Sequence, residues 1–247
     1  MDQCGQNSRF KRPHGAVAPA KQPFESLPIP RTLLPLMTAQ ETRQAILDVA
    51  ETLFAEVGFS ATTLRMLTAR AGVNLAAVHY HFGSKEELTL AVMDRIVEPV
   101  HRARLERLEA LEASTGAPGI EDVVRAYVEP VFQAHAIDSA AARTFGRVLG
   151  EQPPFLRDFL AARFGPVLSR FARQLQRALP EVEESVCFWR LHFCAGAMAH
   201  AMQHAELVRQ LSGGRCDPSD TTEIREQLVT FVMAGMQATS PRVGATR

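Results

Sequence analysis

From Thr38 onward the apolar residues recur at helical spacing, and no run alternates as a strand would. Thr38 followed by Glu41 forms a capping box, and Ile46, Ala50, Leu53 and Val57, widened by Leu47 and Phe54, mark one buried face of a helix that Gly58 stops. Thr62 or Thr63 then caps a shorter helix with Leu64, Leu67 and Ala71 on one side, ended by Gly72. Asn74 caps a third helix, Leu75 to His81. Gly83 breaks it, and Ser84 with Glu87 reads as a second capping box opening a long fourth helix. Further helices are expected at about Gly119–His135, Asp138–Gly150, Pro153–Leu179, Glu181–Val208 and Thr222–Ala238, the last announced by Asp220 and Glu223. The fold class is therefore all-α, with about nine helices.

The ends differ from this body. Residues 1–37 hold six prolines without apolar periodicity and are expected as a disordered tail, as are residues 241–247. With five basic residues against two acidic, the first segment reads alternatively as a loose phosphate-brushing arm. A native start at Met37 is a further expectation. Between the ends, residues 38–84 are expected as a helix-turn-helix domain and residues 85–240 as a second helical domain.

The Thr62–His81 unit has helix-turn-helix proportions, with a glycine turn carrying Val73 between its two helices. Its second helix is about 12 Å long, which fits a major groove. Ala76 and Ala77 keep its backbone close to any surface it meets. Val78 and Phe82 hold it to the core, leaving His79, Tyr80 and His81 outward, and Lys85 opens the next helix where a phosphate can bind. Charge gives this reading no support: the chain carries 27 basic and 27 acidic residues. From spacing alone, a plain three-helix core is an equal alternative.

Taken with its flanks, the segment resembles the TetR family of DNA-binding regulators. The resemblance runs from Ala45–Ala50 through Leu53–Phe59, Thr62–Arg65 and Ala71–Val73 to Tyr80–Leu88. It implies that Thr63 and Arg65 begin the helix before the reader, and that Ala76, Ala77 and His79 face the groove; Asn74, the cap of that helix, is a further expected DNA contact. By the same resemblance Tyr80, His81 and Lys85 lie near phosphates. His79 stands where many members carry tyrosine, which implies a distinct operator preference. The remaining helices would bind a small-molecule inducer and form a homodimer on double-stranded operator DNA, the chain acting as a repressor.

Pro99, Pro130 and Pro166 fall inside helical patterns, where a missing amide and a displaced carbonyl open space between helices. A pocket is expected among Val100, Tyr127, Val131, Phe145, Leu149, Phe164 and Phe193, with His135, Arg143 and Arg147 as polar anchors. The dimer contact is expected on Trp189, Phe193, Gly196, Ala197, His200 and His204, joined by Leu228, Phe231 and Val232 of the last helix. The segments Phe188–His200, Phe145–Arg147, Pro153–Leu156 and Val73–Val78 also resemble the fatty-acid-responsive PsrA-like branch, implying a fatty acid or acyl thioester as inducer.

Two other readings stay open. His200 and His204, at i and i+4, offer a metal pair that Cys194 or His192 could complete, and a helical protein-interaction module needs no DNA at all. Glu98–His101 is a lone ExxH and reads as surface. No metal and no cofactor are expected. GxSxG, Walker, GxGxxG and HExxH patterns are missing, so no enzyme is expected. The four cysteines form no CxxC pair, and without a secretory segment or an apolar run of membrane length the expected compartment is the cytoplasm.

Overall fold

The computed structural model describes residues 37–137 and 139–239; the expectations for the two tails lie outside these, apart from Met37. Within the described residues the chain forms nine helices and no strand. They are α1 (Ala39–Ala61), α2 (Leu64–Ala71), α3 (Leu75–Phe82), α4 (Lys85–Ala113), α5 (Ile120–Ala134), α6 (Ala140–Glu151), α7 (Pro154–Ala178), α8 (Glu184–Leu211) and α9 (Thr221–Gln237).

Local chemistry sets most of these ends. The Thr38 box is complete, its hydroxyl accepting from the Glu41 amide at 3.2 Å while Glu41 accepts from the Thr38 amide at 2.7 Å. Thr63, not Thr62, caps α2; Thr62 is buried and donates to the Gly58 carbonyl at 2.6 Å. Ser84 and Asp220 cap α4 and α9 with one arm each, because their own amides are engaged by the carbonyls of Phe82 and Asp217. α8 starts and ends three residues later than expected: Glu183 is its N-cap, and Val182 closes a turn onto Leu179.

Two cores result. One joins α1–α4 around Phe54, Leu67, Val78 and Leu88, and α6 and α7 contribute Val148 and Leu156 to it. The other joins α4, α5, α7, α8 and α9 around Val128, Phe171, Leu191 and Val229. α1 carries a second buried face that its apolar stripe does not announce. Ala55 is 4% exposed on the side away from that stripe, and its small side chain lets α6 lie close. Val57 departs from expectation and stays 40% exposed, since the chain turns away at Gly58 one residue later. Arg95 of α4 adds ion pairs to Asp48 and Glu51 of α1.

The prolines do not open the helices. α4, α5 and α7 run through Pro99, Pro130 and Pro166, whereas backbone outside helical values occurs at Gly58 and at His204 in α8. Among the described residues no helix is long and apolar enough to cross a membrane.

Candidate nucleic-acid interface and internal cavity

α2 and α3 are joined by Gly72 at φ 66°, a left-handed conformation that costs a glycine little. Leu67, Val78 and Phe82 anchor the pair, which leaves Thr63, Arg65, Asn74, Ala76, His79 and Tyr80 exposed and Ala77, His81 and Lys85 half-buried. Tyr80 stands out at 81% exposure. Asn74 accepts from the Ala77 amide at 2.8 Å, so its side-chain oxygen is engaged in capping α3. His79 sits 2.7 Å from the Gly83 carbonyl through Nδ1. A carbonyl only accepts, so Nδ1 carries a proton, and the matching tautomer of the ring has its acceptor at Nε2.

Lys85 is less open than its position suggests. Its ammonium lies 4.1 Å from the centre of the Phe59 ring, and burial pushes its pKa below the ordinary lysine value against the pull of Glu86 and Glu151. Arg70 is held by Glu56 at 2.6 and 3.0 Å, leaving Arg65 as the exposed arginine of α2 without such a clamp among the described residues.

A joint connects this head to the rest. Gly58, at φ 85° and ψ 173°, interrupts the α1 ladder, and the freed amides of Phe59 and Ser60 donate to the Glu151 carboxylate at 2.8 and 2.7 Å. The Ser60 hydroxyl adds a third bond at 2.5 Å. Burial pushes the Glu151 carboxyl up, but these donors and the charge of Lys85 outweigh it and hold the group below the usual carboxylate range. Phe59 also meets Phe155 of α7 edge-on at 5.3 Å. Glu151 ends α6, and Thr144 of the same helix donates to the Glu51 carbonyl of α1 at 2.7 Å.

α6 also walls a cavity of about 540 Å³ between the two cores, contributing Ala142, Phe145 and Leu149. Of the ten residues expected around a pocket, Val100, Tyr127, Val131, His135 and Phe164 line it together with Phe145 and Leu149. Three do not. Phe193 is 64% exposed and stacks on Trp189 at 5.8 Å outside the cavity, and Arg143 and Arg147 are exposed on another face of α6 from buried Thr144 and Val148. His135 donates from Nε2 to the Ile96 carbonyl at 2.7 Å, which ties α5 to α4 across the cavity.

The polar group that pattern reading passed over is Arg104. Only 5% exposed, it lines the cavity with its guanidinium 4.0 Å from the Tyr127 ring centre, donating from Nε to the Tyr127 carbonyl at 2.8 Å. The signal was present in the spacing. Val97, Val100, Arg104 and Leu108 follow one apolar stripe of α4, so Arg104 had to point inward.

On α8 the buried stripe is Cys187, Leu191, Cys194, Met198 and Met202. Trp189, Phe193, Gly196, His200 and His204 lie on the exposed side with Ala197 half-buried, and Phe231 of α9 is 70% exposed. Leu228 and Val232 belong to the core at 8% and 5% exposure, not to a surface, because they share the inward stripe of α9 with Val229 and Met236. His200 and His204 stack at 4.6 Å, but among the described residues no group of three His, Cys, Asp or Glu could hold a metal ion. Of the two residues that could complete the metal reading, Cys194 is buried on the other side of α8 and His192 is exposed.

Two family models match the chain, one described as bacterial regulatory proteins, tetR family, over residues 46–92, the other as tetracyclin repressor-like, C-terminal domain, over residues 125–235. The chain is 28% identical to the HTH-type transcriptional regulator TtgR of Pseudomonas putida over 178 residues, 72% of this chain and 73% of that protein. Against the HTH-type transcriptional regulator AcrR of Shigella flexneri the identity is 50% over 50 residues, 20% of this chain and 23% of that one. In fold it is similar to a TetR-like transcriptional regulator from Rhodococcus sp. RHA1, with TM-score 0.57, 17% identity and coverage of 83% of this chain and 100% of that one. It is likewise similar to SCO4454, a TetR-family transcriptional regulator from Streptomyces coelicolor, with TM-score 0.52, 22% identity and coverage of 81% and 97%.

Proposed function

This chain belongs to the TetR family of DNA-binding transcriptional regulators, and from that premise we propose that it is a homodimeric repressor released from a palindromic operator by a small apolar molecule. Residues 38–84 form the reading domain, and residues 85–240 the effector and dimerisation domain. The inducer is an acyl compound, a fatty acid or acyl thioester, held in the α4–α8 cavity.

The observation that carries this reading is the double duty of α6. One side of the helix lines an apolar cavity, and its last residue, Glu151, holds the α1 turn of the reading head. A molecule that displaces Phe145 or Leu149 therefore moves the support of α1–α3. Only a ligand with different affinities for the two head spacings can shift the equilibrium, and that difference is the whole inducing free energy.

At the DNA, α3 enters the major groove with Ala76 and Ala77 against it, Thr63, Arg65, Tyr80 and His81 reach the backbone, and Lys85, over the Phe59 ring at the start of α4, lies near a phosphate. With Nδ1 engaged by the Gly83 carbonyl, His79 turns Nε2 to the groove, where an imidazole acceptor suits the amino groups of cytosine or adenine. His79→Ala is expected to relax preference at one base pair of each half-site by about 1–3 kcal/mol per pair while leaving total affinity for mixed DNA unchanged. Selection from random oligonucleotides, run on both proteins, reads this directly. For the native chain the same selection should return a two-fold symmetric site with half-sites about one helical turn apart. Recovery of no preferred sequence would remove the repressor assignment.

A further inference from the structure

We propose that the cavity takes an apolar monocarboxylate with a free carboxylate head, and that Arg104 is the residue that binds it. The inference rests on the cavity being the effector site and narrows what the effector is. Arg104 is a buried positive charge without a counter-charge among the described residues. Among the described residues that line the cavity there is no aspartate or glutamate, and no ion pair reaches Arg104. Its neighbours do not supply an anion either: burial pushes the Tyr127 hydroxyl up and the Cys194 thiol up to about 12, so both stay protonated near neutrality.

What the guanidinium does have is incomplete. Nε donates to the Tyr127 carbonyl at 2.8 Å, one terminal nitrogen approaches the Met198 sulfur at 3.8 Å, and the other has no acceptor among the described residues. The Tyr127 ring face offsets part of the charge. A guanidinium stays protonated even when burial disfavours it, so desolvation leaves a standing demand for an anion. A carboxylate satisfies that demand with paired, charge-assisted bonds, whereas an amide, alcohol or thioester carbonyl supplies no charge.

The rest of the wall fixes the other end of the ligand. Tyr127 and Met198, which contact Arg104, belong with Val167 to the core of α4, α5, α7, α8 and α9, while Ile96, Phe145, Leu149 and Leu160 pack on the core shared with the reading head. A head bound at Arg104 thus sends an apolar tail toward α6. The volume of about 540 Å³ lies within the usual range for a small-molecule site.

The test is calorimetric titration of the full chain with octanoate and with octanamide, equal in length and differing in charge. Octanoate should bind on the order of 30-fold more tightly than octanamide, and Arg104→Met should bind the two alike. Unliganded Arg104→Met should also melt at or above the wild-type temperature, since an apolar isostere replaces an uncompensated charge; an arginine with a purely structural role would lose stability instead. Equal affinity of the wild type for the two probes, or no binding of either, overturns the assignment without recourse to a variant. So does an Arg104→Met protein that keeps the carboxylate preference. If octanoate binds with the expected preference yet leaves operator affinity unchanged, the carboxylate site stands and the effector reading falls.

Discussion

Replacing Phe193 with glutamate is expected to convert the proposed dimer to monomers and to lower operator affinity at least about 100-fold, because two half-sites would then be bound by separate molecules without a shared effective concentration. The expectation follows from exposure. Trp189, Phe193 and Phe231 are 58%, 64% and 70% exposed, three large apolar side chains on adjacent helices, whereas the other aromatic groups among the described residues are mostly covered. Such a patch marks a contact surface, and a two-fold axis across α8 would set each Trp189–Phe193 stack against its own copy. A carboxylate there would meet its symmetry mate in a dry seam, which adds repulsion to lost burial. Because Phe193 lies outside both cores, the melting temperature of the separated chain should fall only through mass action. Sedimentation velocity and operator titration check the two halves. A dimer that survives with unchanged affinity would place the interface elsewhere.

Glu151→Ala should abolish inducer response while leaving inducer binding intact. The substitution removes three hydrogen bonds by which α6 holds the α1 turn, and it leaves Arg104 and the apolar walls untouched. Coupling between two sites in such proteins is typically about 5–150-fold; here it should drop toward one. Measured as the ratio of operator affinities with and without ligand, a coupling factor equal to wild type would show that another route carries the signal. Stability should fall by about 1–2 kcal/mol, the modest value reflecting an exposed carboxylate and amides that water can reach. The sign of the pH effect follows from the lowered pKa of Glu151 in the fold. Its contribution is complete above the unfolded carboxylate value of about 4.3, unchanged between neutrality and about pH 5, and lost as pH falls through the lower folded value. Acid unfolding of wild type and Glu151→Ala should therefore converge only at the acid end.

Local signals made the starts of α1, α3 and α4 legible in the sequence, since the caps Thr38, Asn74 and Ser84 act through neighbours three residues away. The start of α9 was readable for the same reason, through Asp220. What the pattern hid depends on partners distant in sequence. Ala55 looks like a solvent-side alanine until α6, some ninety residues later, is laid on it. Arg104 sits in a run with Arg102, Glu106 and Arg107 that reads as a solvated face, and only its place on the Val97–Val100–Leu108 stripe gives it away. Arg143 and Arg147 drew attention as polar anchors by composition, although the stripe of α6 points Thr144 and Val148 inward instead. Phe193, Leu228 and Val232 teach the same lesson: hydrophobic character was read correctly, but phase around the helix decides which side receives it.

The break in α1 at Gly58 gives the molecule an unequal genetic exposure. Two of the three donors at the joint are main-chain amides, so most replacements at Phe59 or Ser60 keep them in place, whereas the acceptor is a side chain that one codon change deletes. Gly58 is equally unforgiving, since a Cβ added there collides with the Glu151 carboxylate and its backbone angle disfavours any other residue. Variants deaf to the effector should thus accumulate at codons 58 and 151, a lopsided pair ninety-three positions apart that a map of sequence alone would never group.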